Sequence, residues 1–198
     1  GPSTYRNNLA LVKGGMAMLH YFTALGAQNE RLKNECGTVS AIGGILKAPL
    51  DILGDKLRGY YGLTNDLIEQ PEKVLAACKA LMPHLMHVAL TSADPEKIVP
   101  ITIWMHRGCV PFVTPQTFET IYWPTLRPVI ETLWAHGYQV LFYAEGNWDA
   151  HLDTFTELPE GSIIFHIDRS DYRKAHKALH HKFSLSGGIP NTVLSLGT

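Results

Sequence analysis

Glu145 and Asp168 each close an apolar run, Tyr138 to Tyr143 in one case and Ser162 to Ile167 in the other. A carboxylate next to buried apolar residues needs a cation, a donor or water. Two such carboxylates on neighbouring strands repel unless a metal or a proton is shared between them. His106 and His166 would complete a nitrogen and oxygen set suited to Zn²⁺. His166 alternates within its own apolar run, which makes Asp168 the preferred partner of Glu145. His106-Arg107-Gly108 closes a third apolar run, where a guanidinium forks onto a carboxylate or phosphate. Arg107 could instead pair with Glu145 as a structural ion pair. Tyr143 offers a hydrogen-bond donor or acid, or plain packing. His176, His180 and His181 suit a solvated helix end that complements the dipole. Cys109 has no base fixed beside it, so nucleophilic catalysis is poorly supported. No GxGxxG or P-loop indicates nucleotide phosphates.

The elements that position these residues follow from apolar spacing. Residues 4–35 read as a helix carrying Leu9, Val12, Met16, Leu19 and Phe22. A buried strand is expected over 38–45, then a helix over 51–69 broken at Gly62. Pro71 opens the next helix. A strand is expected over 98–105, then a helix from Thr114 to His136 bent by Pro124 and Pro128. Strands over 138–143, 162–167 and 183–186 alternate with helices over 149–156 and 171–180. About five strands alternating with helices predict a parallel sheet. Function in such sheets gathers at the strand C-terminal ends. Those ends carry Pro49 and Asp51, His106 and Arg107, Tyr143 and Glu145, His166 and Asp168, then Ser186 to Pro190.

Composition bounds the answer. The 198 residues suffice for one domain with a core. Lys plus Arg is 17 against 18 for Asp plus Glu, so no basic excess points to nucleic acid or an anionic membrane. No apolar run approaches the roughly 20 residues of a membrane helix. The N-terminus lacks a secretory layout. Cys36, Cys78 and Cys109 are widely spaced, which argues against a disulfide framework and makes a cytoplasmic location the expectation.

Taken in order, the motifs resemble the uroporphyrinogen decarboxylase superfamily. They are Ala48-Pro49-Leu50-Asp51, Leu57-Arg58-Gly59, Asp66, Gln70-Pro71-Glu72-Lys73-Val74, His106-Arg107-Gly108 and Thr114 to Phe118 with Tyr122-Trp123-Pro124. Glu145-Gly146-Asn147, Asp171 with Lys174-Ala175, Ser186-Gly187-Gly188-Ile189-Pro190 and Leu196-Gly197-Thr198 follow, with Gly188 where the family usually has asparagine. The resemblance covers nearly the whole chain from about Gly37.

The resemblance implies a (β/α)₈ barrel, of which the chain matches strands three to seven. It implies either a porphyrin decarboxylase or a cobalamin-linked methyltransferase carrying zinc at the C-terminal barrel face. Tyr143-Ala144-Glu145-Gly146 stands where many methyltransferases have His-x-Cys-Gly. That version resembles the ether-cleaving O-demethylase branch, whose zinc pattern would be matched by Glu145, Glu160 and His181. Glu160 and His181 are expected at the opposite barrel face, and Glu145 with Asp168 is the alternative metal pair. His106, Arg107 and Tyr143 would line the reaction site, and Asn147 and Gly187 would face the cofactor. The implied partners are a small methylated substrate, a separate corrinoid protein carrying the cobalamin, and a second copy or complementary chain. A full barrel takes about 250 residues, so a fragment, a split enzyme or an oligomer is expected. The other readings are a metal-free decarboxylase relative and a non-catalytic assembly module.

Overall fold

The structure, a computed structural model, describes residues 1–197, so Thr198 of the Leu196-Gly197-Thr198 segment lies outside the described residues. The chain separates into two units, Gly1–Ser40 and the remainder from Ala41. The first is helix α1, Pro2–Cys36, close to the span that the apolar spacing predicts. Gly37 stops it at φ 64°. The N–H groups of Gly37 and Thr38 return to the carbonyls of Lys33 and Leu32. Its apolar residues, Leu9, Val12, Met16, Leu19 and Phe22 among them, are exposed.

The second unit is an α/β sheet structure. Strands β1 (Gly44–Lys47), β2 (Ile101–Met105), β3 (Val140–Ala144), β4 (Ile163–Ile167) and β5 (Ser184–Gly187) pair in chain order, all parallel. Each parallel crossover needs intervening chain, and helices supply it. Helices α2 (Pro49–Ile52), α3 (Tyr60–Glu69) and α4 (Pro71–Ser92) separate β1 from β2. The short α5 (Pro115–Thr117) and α6 (Trp123–Ala135) separate β2 from β3. Then come α7 (Leu152–Phe155), α8 (Tyr172–Leu179) and, after β5, α9 (Asn191–Leu196). Two π-helical turns, Leu53–Leu57 and Phe118–Tyr122, interrupt this pattern directly after α2 and before α6.

Strand alternation sorts the side chains into two faces. Ile103, Met105, Phe142, Ala144, Phe165 and Ile167 are buried. Against that side pack Val74, Cys78, Leu85 and Ala89 of α4, Leu126, Val129, Ile130 and Leu133 of α6, and Ala175 and Leu179 of α8. The opposite face carries Lys47, Trp104, Tyr143, His166 and Ser186, which share one register row across all five strands.

Several boundaries differ from the sequence reading. Strand β1 starts at Gly44 because its pairing partner on β2 starts at Ile101. The helix break falls at Gly59, not Gly62. Gly59 sits at φ 77°, which only glycine adopts cheaply. Gly62 lies inside α3, where the Arg58 side chain packs over its bare Cα on the way to Asp66. The helix over 115–135 is interrupted by the π turn just upstream of Pro124, whose missing N–H breaks the regular ladder there. Helix α4 is 22 residues long with a window of mean hydropathy 1.4, long and apolar enough by length and composition to cross a membrane, which the sequence reading had not found.

His151 is buried in an aromatic cluster and stacks on Phe118, with ring centroids 3.7 Å apart. Its Nε2 is buried with no hydrogen-bond partner, and burial holds the imidazole below its usual pKa. The unfolded chain therefore takes up a proton at this residue before the folded chain does. The contribution of this group to stability is expected to fall as pH drops below about 6.5, the ordinary histidine value. Urea unfolding from pH 7.5 to 5 is expected to shift the stability difference in favour of His151→Phe over the parent.

Candidate functional site

At the C-terminal strand ends one carboxyl group holds the backbone. Asp51, in the first turn of α2, is fully buried. Its Oδ1 accepts the N–H groups of His106, at 3.2 Å, and Arg107, at 2.6 Å. Its Oδ2 accepts the Tyr122 hydroxyl at 2.9 Å. No cation is among the groups that shift it, and Asp55 lies close enough to repel it. Burial pushes its pKa up to about 7, against the pull of these three donors. The same burial, with Asp51 beside it, raises the Tyr122 hydroxyl well above its ordinary range. Gly108 is required here because a Cβ would fall 2.4 Å from the Tyr122 ring.

Arg107 turns away from Glu145. Its Nε lies 3.4 Å from Asp55, and its guanidinium sits 5.0 Å from the Tyr60 ring centroid and 4.7 Å from that of Phe112. Asp55 also pairs with Lys47 at 2.7 Å. Burial raises Asp55, but the Lys47 and Arg107 cations outweigh it and hold the carboxyl below its ordinary value. The anion-binding role expected of Arg107 therefore competes with its pairing to Asp55 and with its contacts to the Tyr60 and Phe112 rings. The ion pair foreseen between Arg107 and Glu145 is replaced by another. His106 Nδ1 lies 2.7 Å from Glu145 Oε2.

That pairing fixes the imidazole. With Nδ1–H donated to the carboxylate, Nε2 carries the lone pair, and Nε2 is buried without a hydrogen-bond partner. Burial lowers the His106 pKa, while Glu145 pulls it up and Lys47 lowers it further. Beside it runs the register row. Trp104 packs edge-on to His106 with centroids 6.1 Å apart, and 6.2 Å separate Trp104 from Tyr143. Tyr143 stacks on His166 at 4.6 Å. His166 Nδ1 and the Ser186 hydroxyl are 2.8 Å apart. Burial lowers the His166 pKa against the pull of Asp168.

The remaining sequence-derived residues fall as follows. Asp168 accepts the Gly146 N–H at 2.8 Å, closing the loop after β3, while Glu145 is engaged with His106. Asn147 accepts the Asp149 N–H in a local turn, and Gly187 sits at φ 77° with its Cα against the Ile167 carbonyl, so both have backbone roles. Glu160 precedes β4 and His181 precedes β5, so they lie at the strand starts, away from Glu145. Among the described residues no three His, Cys, Asp or Glu side chains are gathered to hold a metal. The side chains as placed do not form the zinc set that the resemblance implies. Burial raises the Cys109 thiol to about 11 and the Cys78 thiol to about 12, so neither is a ready nucleophile. The pairing of His106 with Glu145 and the reach of Asp51 to residues 106, 107 and 122 were missed from sequence. The signal was an acidic residue directly after Ala48-Pro49-Leu50, in a stretch that is otherwise buried.

No protein-family model matches the chain, and no curated protein matches it. The resemblance to the uroporphyrinogen decarboxylase superfamily rests on the order and spacing of the motifs.

The raised Asp51 pKa has a measurable sign. The unfolded carboxyl ionises near 3.8 and the folded one near 7, so the folded state holds the proton longer between these values. Stability from this group is full below pH 3.8 and is lost as pH rises through 7. Asp51→Asn, which carries no such proton, is expected to gain stability relative to the parent between pH 4 and 8. Denaturant unfolding of both proteins across that range checks it.

Proposed function

We propose that the chain forms the central part of a (β/α)₈ enzyme that moves a methyl group between a small methylated molecule and a corrinoid held on a separate protein. The observation that carries the reading is the His106 imidazole, oriented at Nδ1 by Glu145 and left with a buried Nε2 that has no hydrogen-bond partner. A sheet of parallel strands in chain order, with helices on one face and ionisable groups at one end, supports the barrel. The motif order supports the class.

The proton is what this chain handles. Methylation of a thiol or hydroxyl releases one proton, and cleavage of a methyl ether consumes one. His106 Nε2 takes the proton from the accepting group or returns it to the leaving oxygen, while Glu145 holds the ring and stabilises the imidazolium that forms. Tyr143, His166 and Ser186 orient the small molecule. Strands β1 and β5 are the edges of the described sheet, where further strands would complete the barrel.

The test is methyl transfer between methylated small molecules and free or protein-bound cobalamin, followed by the cobalamin spectrum. Transfer is expected in the parent, with His106→Gln slower by about 10²- to 10⁴-fold. In methylation of a thiol or hydroxyl, where His106 acts as the base, activity is expected to fall in acid through the lowered His106 pKa. Glu145→Gln removes the charge that raises that pKa, so the acid limb should move to lower pH. Failure of any corrinoid to gain or lose a methyl group would sink the reading.

A further inference from the structure

We propose that Asp51 is the positioning residue for His106, acting through the two peptide planes that flank the His106 Cα. The inference rests on the reading of His106 as the proton-transferring group.

The amide of residue 106 belongs to the plane shared with Met105, and the amide of residue 107 belongs to the plane shared with His106. One oxygen, Asp51 Oδ1, accepts both N–H groups, at 3.2 and 2.6 Å. Holding both planes fixes φ and ψ at His106, and with them the direction of the Cα–Cβ bond. Glu145 then fixes the ring from its far side at Nδ1. Backbone and ring are thus set independently, and Nε2 has one place to point.

The second carboxyl oxygen is itself anchored. It accepts from Tyr122, the last residue of the π turn before α6. Asp51 lies immediately before the other π turn, with only Ile52 between. An α-helix that opens into a π turn redirects its next side chains, and such turns recur at functional sites. Here the two turns bring residues 51 and 122 to a common point behind the histidine. A merely space-filling role would be served by an apolar residue, which is cheaper to bury than a carboxyl.

The test reads the imidazole directly. Histidine ¹⁵N spectra report the tautomer and pKa of each ring, and His106→Gln assigns the signal. The parent is expected to show His106 as one tautomer protonated at Nδ1. Asp51→Asn keeps a carbonyl oxygen for both amides, so the signal should persist. Asp51→Ser cannot reach both amides, so the signal should shift towards a tautomer mixture. With that shift, kcat should fall by about a hundredfold with KM little changed. Should Asp51→Ser fail to fold, Asp51→Glu, which moves the carboxylate one methylene along, is read in the same way. An unaltered His106 signal in a folded Asp51→Ser or Asp51→Glu protein overturns the proposal. Because the spectrum needs no methyl donor, a signal that follows Asp51 without any methyl transfer would sink the functional reading alone.

Discussion

A carboxyl group withdrawn entirely from water has to find donors inside the protein, and no cation supplies them to Asp51. The three donors are instead two peptide N–H groups just after β2 and the hydroxyl of a tyrosine from a distant helical turn. The group ties α2, the end of β2 and the approach to α6 into one unit. The consequences spread outwards. Residue 108 has to be glycine because Tyr122 occupies the space of its side chain. Arg107, with its amide held, turns its guanidinium towards Asp55 and two rings, not into the site. Glu145 is thereby left to His106.

The loop after β3 is tied to the loop after β2 by a second, mostly steric, constraint. Gly146 sits at φ 97°, and a Cβ there would also meet Cys109 Sγ at 2.7 Å. Val110 and Asn147 form a bridge next to that contact. Asp168 holds the Gly146 amide from the following strand. Three successive strand ends are therefore locked through glycine, thiol and carboxylate contacts, and Cys109 acts as a wall. Its buried Sγ lies 3.4 Å from the His106 carbonyl, which adds a weak contact to the same loop.

The alternation of strands and helices was legible because apolar runs of the right length were punctuated by Gly, Pro and capping residues. Thr114 and Asp171 cap their helices with their own side chains, at the positions where sequence places the helix starts. Pairing decided what spacing could not. The Thr38–Ala41 stretch has strand-like residues, but the strand begins later, at Gly44, where β2 offers partners. At the site, residue types were readable and their partners were not. Glu145 was singled out as a strand-end carboxylate, and the structure leaves it exposed with His106 as its partner. Whether that donor is residue 106 or 107 depends on which way two adjacent side chains turn after a strand ends. That choice is set by Asp51, more than fifty residues upstream.

The register row sets a length scale. Lys47, Trp104, Tyr143, His166 and Ser186 lie one per strand, and neighbouring strands are about 4.8 Å apart. Laid flat, the row from Lys47 to Ser186 would measure about 19 Å, four strand spacings. A molecule of only a few heavy atoms does not bridge that distance, so on a flat sheet it could not meet both the ammonium and the Ser186–His166 pair. On a curled sheet the two ends approach, and the row becomes a ring around a single molecule. The curvature of the sheet, set by residues outside the row, thereby determines how many of its five side chains one substrate can meet.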